Sequence, residues 1–192
     1  MRVLHEELTH RVTREFSAAI GTLSAAAARA QTDQARSELA AVQTSLENFA
    51  RVHRALQIPE FRTTVDGCVY LEQLCGAISV SRLERCGIEL HVLEGTCAID
   101  SEQCWRLGMI VAELVAIAVT PSFAGGSARI SVAISRRGAF IGCRIEGNGI
   151  TRDGEANRST RIVDALVREL HGAFEQHRSG ERCLTTVVFP AA

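Results

Sequence analysis

Two apolar stripes at helical spacing, parted by a single break, constrain the first 57 residues more than any other feature of the chain. Met1, Leu4, Leu8, Val12, Phe16, Ile20, Leu23 and Ala27 recur every three or four positions and predict one helix from residue 1 to about residue 30. Gln31-Thr32-Asp33 interrupts the pattern and offers N-cap side chains for a second helix. Leu39, Val42, Leu46, Phe49, His53 and Leu56 then alternate steps of three and four, the seam of a coiled coil, as far as about Gln57. Two such helices with a short connection form an antiparallel hairpin. A hairpin this thin cannot cover both stripes, so the spacing predicts pairing with a second copy into a four-helix bundle.

Ile58-Pro59-Glu60 ends the second helix, because proline disfavours helix in the residue before it. The remainder reads as α+β. A helix is expected from about Asp66 to Glu84, a strand from Ile88 to Leu93, and a short one at Cys97-Ala98-Ile99. Asp100 or Ser101 caps a helix running to Val119, which Pro121 stops. Ala128 to Ser135 and Ala139 to Ile145 alternate well about Arg136-Arg137-Gly138, a hairpin signal. A helix from about Ser159 to Leu170, ended by Gly172, precedes a last strand from Leu184 to Phe189. Hydrophobic residues make up 46% of the chain, enough for a packed core, and aromatics only 5%, so aliphatic side chains fill it.

Charge and composition exclude several classes. The formal net charge is −1, so no basic field draws in nucleic acid or an anionic membrane. The longest apolar stretch, Leu107 to Val119, carries Glu113 and is too short to span a bilayer. The first residues lack the apolar run of a signal peptide, which favours a cytoplasmic protein. Seven cysteines are present, an odd number with no CxxC pair. They read as reduced, mostly buried small hydrophobes, and no metal site is expected.

Certain residues carry a more specific signal. Glu7, His10, Arg11 and Val12 stand as Glu-x-x-His-Arg-Val on the first helix. Val52-His53-Arg54-Ala55-Leu56 closes the second, Gly108 to Val115 opens the long apolar helix of the second half, and Phe123-Ala124-Gly125-Gly126 follows it. In this order the chain resembles the histidine kinases of the HWE and HRxxN subclass over nearly its whole length. The resemblance implies a dimerisation and phosphoacceptor hairpin over residues 1–58. It implies an α/β sandwich like the Bergerat-type ATP-binding domain over residues 62–192. The match breaks after Val12, where Thr13 and Arg14 replace the family's Lys and Asn.

The departures gather at the nucleotide. Beside Glu113, where the family places a magnesium-binding Asn, Ile117 has no lone pair for a hard cation. The family's Asp-x-Gly, which reads adenine, aligns with Gly147-Asn148-Gly149, leaving Gly147 where the carboxylate belongs. Glu146 is a neighbour but on a strand faces the other way. Asn157-Arg158-Ser159-Thr160-Arg161 replaces the glycine-rich phosphate cradle. Three losses at separate contacts imply a degenerate kinase domain that does not bind ATP and needs no cofactor of its own. The resemblance therefore implies a dimeric histidine phosphotransferase.

In that role His10 is the phosphoacceptor. It lies two residues past Leu8, about 200° round the helix from the apolar stripe, on the solvent face. A neutral imidazole nitrogen attacks an aspartyl phosphate, and the N–P bond formed is readily passed on. Glu7, one turn back, is placed to hold the other ring nitrogen, and Arg11 and Arg14 to meet phosphoryl oxygens. The implied partners are receiver domains of response regulators or of a hybrid kinase, which bring the Mg²⁺, with Thr9, Thr13 and Phe16 as recognition residues. His5 is a weaker acceptor candidate, about 140° away and without the Arg-Val that follows His10. His53 falls in the seam and is expected to be buried and hydrogen-bonded. His91, His171 and His177 are expected at the surface, and Trp105 in the second core. Two other readings stay open: a pseudokinase scaffold that binds receivers without phosphorylation, and an ATP-dependent kinase in which another group replaces the oxygen lost at Ile117.

Overall fold

The computed structural model describes residues 2–57, 63–118, 128–148, 156–179 and 182–192. The chain divides into two compact units, Met1–Gln57 and Ile58–Ala192.

The first unit is a helical hairpin of α1 (Arg2–Arg29) and α2 (Asp33–Ala55). The break between them works as its composition suggests. Thr32 is extended, and its side chain accepts a hydrogen bond from the Ala35 amide, capping α2. Val42 and Phe49 remain 50% and 40% exposed, so part of the α2 stripe faces solvent in the single chain. Three contacts fix the antiparallel register: Ser24 Oγ to Gln43 Oε1 at 3.1 Å, the Phe16 and His53 rings 6.0 Å apart, and Gln57 Nε2 to Thr13 Oγ1 at 3.4 Å.

The second unit packs helices on one face of a mixed sheet. Its order is β1 (Thr64–Asp66), α3 (Gly67–Ile78), β2 (Ile88–Val92), β3 (Ala98–Asp100), α4 (Ser101–Ala118), β4 (Ala128–Arg137), β5 (Phe140–Asn148), α5 (Ala156–Glu169), β6 (Ala173–Ser179) and β7 (Arg182–Pro190). The five-stranded sheet runs β2-β4-β5-β7-β6, parallel at β2/β4 and antiparallel elsewhere; β1 and β3 form a small antiparallel pair. Ile130, Val132, Ile134, Ile141, Cys143, Ile145, Val187 and Phe189 alternate to one face and are buried. They meet Leu71, Leu74, Leu107, Ile110, Val111 and Val163 from the helices.

Asp66 and Asp100 start α3 and α4. Asp66 Oδ1 accepts from the amides of Cys68 (2.9 Å) and Cys97 (3.3 Å), and Asp100 Oδ1 from those of Glu102 (2.9 Å) and Gln103 (3.2 Å). The second of the two cap candidates is therefore free of that task, and Ser101 is fully buried instead.

Four expectations are corrected. The helix expected from about Asp66 to Glu84 is α-helical only to Ile78; a π turn (Ser79–Leu83) and a 3₁₀ turn (Glu84–Cys86) follow, closed by Gly87 at φ +67°. The wider turn carries Leu83 into the core, where unbroken α spacing from Leu74 and Ile78 would have buried Arg82. β1 and β6 were not expected. β1 is three residues long, and β6 is a polar edge strand without the alternation that marks a half-buried one. The left-handed residue that ends α5 is His171 (φ +54°), not Gly172. His171 and Gly172 donate back to Arg168 and Val167, at 3.0 Å each, in a Schellman arrangement. Gly172 answers a different need: a Cβ there would stand 2.6 Å from the Val188 carbonyl and 2.9 Å from Phe189 Cβ.

Candidate functional site

On α1, His10 is exposed, with Glu7, Arg11 and Arg14 exposed beside it. Glu7 does not hold the imidazole. Its carboxylate turns to Arg14, Oε1 to Nη2 at 3.7 Å, with both side chains more than half exposed. Residues seven apart lie on one helix face two turns apart, and the guanidinium charge draws the carboxylate to Arg14. Such an exposed pair contributes at most about 1 kcal/mol, so Arg14 is readily released to another anion.

Thr13 and Phe16 are half-buried in the hairpin seam, Thr13 under Gln57 and Phe16 against His53. The side chain of Thr9 lies outside the described residues. His53 departs from expectation. It is half-buried, but its Nδ1 is enclosed with no hydrogen-bond partner among the described residues. Gln57 was not anticipated. Its contact spans 44 residues, and nothing local in the sequence marks it.

In the second unit, Glu113 is half-buried on α4 and Ile117 lies in the last turn of that helix, its side chain outside the described residues. Gly147 sits within β5, paired with Ile130 and Cys183. It follows Cys143 and Ile145 on the face that packs the core, and a Cβ there would come 3.4 Å from Ile130 Cγ1 and 3.6 Å from the Arg129 carbonyl. Glu146 is on the opposite face and takes Arg144 Nη2 at 3.1 Å. Asn148 ends β5, its side chain undescribed, and Gly149 and Phe123 to Gly126 lie outside the described residues. Asn157 to Arg161 belong to the opening turns of α5 rather than to a glycine-rich loop.

The seven cysteines are free; Cys68, Cys75, Cys97, Cys104 and Cys143 are buried. Burial pushes the thiols of Cys75 and Cys104 up to about 12 and raises that of Cys143 further, so these three stay protonated. Among the described residues no group of His, Cys, Asp or Glu is arranged to hold a metal ion, and no helix is long and apolar enough to cross a membrane. His91, His171 and His177 are exposed.

No family model matches the chain, and no curated protein does. Solved structures do match. The histidine kinase domain of the Erythrobacter litoralis EL346 blue-light activated histidine kinase aligns with 90% of this chain and 94% of its own, at TM-score 0.61 and 18% identity. A bacterial phosphotransferase aligns with 96% of this chain and 94% of its own, at TM-score 0.64 and 11% identity. The Acinetobacter baumannii histidine kinase AdeS aligns with 93% of this chain and 96% of its own, at TM-score 0.53 and 15% identity. The chain has a histidine-kinase-like fold. At these identities the likeness is one of architecture: a helical hairpin followed by a mixed sheet under helices, as in those kinases.

Proposed function

We propose that the chain is a histidine phosphotransferase of a two-component phosphorelay, passing phosphoryl groups between receiver-domain aspartates through His10 without binding ATP. The observation that carries the reading is an exposed imidazole on the first helix of a kinase-like hairpin, flanked by two exposed guanidinium groups. The imidazole nitrogen attacks the phosphorus of an aspartyl phosphate, the N–P bond forms as the acyl O–P bond breaks, and the aspartate leaves as carboxylate. The reverse reaction delivers the phosphoryl group to the next receiver. Arg11 and Arg14 balance charge on the transferring oxygens, and the receiver supplies the Mg²⁺. The protein's own part is positioning.

The second domain, residues 62–192 on this reading, has lost its nucleotide chemistry. Ile117 offers no ligand, and Gly147, at the expected carboxylate position, has no side chain to read adenine. The exposed part of the α2 stripe supports a homodimer through the hairpin.

The test is transfer from a receiver domain charged with acetyl phosphate. Acid-labile label on the wild type that disappears in His10→Ala is the expected result. A wild type that takes no label, yet still binds the receiver, replaces the relay with the scaffold reading.

A further inference from the structure

The three cross-hairpin contacts run in order toward the acceptor: Ser24 with Gln43, Phe16 with His53, Thr13 with Gln57. His10 lies one helical turn beyond Thr13, roughly 4.5 Å further along α1. The antiparallel register carries that level past Gln57, and α2 is helical only to Ala55. The acceptor turn thus lies beyond the level at which α2 ends as a helix. Helical turns with few packed neighbours open locally at low cost. Gln57, just past the α2 C-cap at Leu56, reaches across with its amide to the Thr13 hydroxyl, and both residues are half-buried.

We infer that Gln57 is a positioning residue for phosphotransfer: its side-chain amide pins the turn of α1 that follows His10, keeping the imidazole in register for an incoming receiver. The inference rests on the relay reading. Gln57 touches neither phosphoryl group nor receiver in this role; it acts through Thr13. Losing the tie lowers the fraction of chains whose acceptor turn is ready, and apparent affinity for the phosphorylated receiver falls by that fraction. One partly buried hydrogen bond corresponds to about a three- to tenfold change. A docked receiver re-forms the turn, so the rate at saturation is kept.

The experiment follows label from a receiver domain charged with acetyl phosphate onto the full chain, at varied receiver concentration. Gln57→Ala and Thr13→Val are each expected to raise KM about three- to tenfold with kcat unchanged. The double variant is expected to be no worse than either single one, and Gln57→Glu, whose carboxylate accepts from the Thr13 hydroxyl where the Gln57 amide donates to it, to recover most of the loss. Equal KM in wild type and Gln57→Ala, or additive losses in the double variant, overturns the inference and leaves the relay standing. A fall in kcat that Gln57→Glu does not rescue also overturns it, since that marks general loss of structure. No label on wild-type His10 takes down both.

Discussion

Replacing His53 by leucine should make the hairpin more stable, against the usual direction for a seam residue. The wild-type ring places Nδ1 where neither water nor a described polar group reaches it. Leaving a buried polar atom unsatisfied costs about 1–3 kcal/mol. His53 as a whole is half-buried, so the lower end applies, about 1 kcal/mol. Leucine forfeits the tilted contact with Phe16, about 0.5 kcal/mol, and regains a similar amount through its methyl groups. The net gain of about 1 kcal/mol corresponds to a rise of about 4–8 °C in the melting temperature of a unit this small. Thermal unfolding followed by circular dichroism at neutral pH measures it. The same variant should keep the acid-labile label, because the ring in the seam is not the acceptor. A melting temperature that falls by several degrees refutes the reasoning, for it means that a water or a second copy satisfies Nδ1 and that the polar seam is stabilising as built.

The remaining predictions concern assembly, pH and nucleotide. Leu46→Asp or Phe49→Asp should convert a dimer into a monomer in sedimentation at micromolar concentration, since each puts an unpaired charge into the α2 seam; a wild-type monomer there refutes the bundle. Cys75, Cys104 and Cys143 are held protonated in the fold but ionise near pH 9 once unfolded, so the folded state binds more protons above that pH. Their contribution to stability should be constant below about pH 9 and fall, by about 1.4 kcal/mol per thiol and pH unit, as the pH rises toward about 12; Cys104→Ala should flatten that slope by one thiol's share, and an unchanged slope refutes the assignment. Gly147→Asp should not restore a melting shift with ATP-Mg²⁺, because the metal position at Ile117 remains without a lone pair; a clear shift would show that one carboxylate suffices.

Period and capping chemistry are local, and the sequence by itself determined what depends on them. The two stripes and the Thr32 break gave a hairpin. Alternation gave β4 and β5. The lone-pair chemistry missing at Ile117 and Gly147 needs only the residue names, and the 200° offset of His10 from Leu8 already put it on the solvent face. Tertiary structure decided the rest, because energies there come from groups distant along the chain. Leu83 enters the core only through a π turn that its neighbours in space make worthwhile. His171, with no glycine's freedom, takes the left-handed turn because Gly172 is needed under Val188 and Phe189. Glu7 prefers Arg14 to His10 across two turns, and Gln57 meets Thr13 only once the helices have settled into register. The sequence set His10 on the exposed face of α1; the packing of the hairpin set which side chains meet across it.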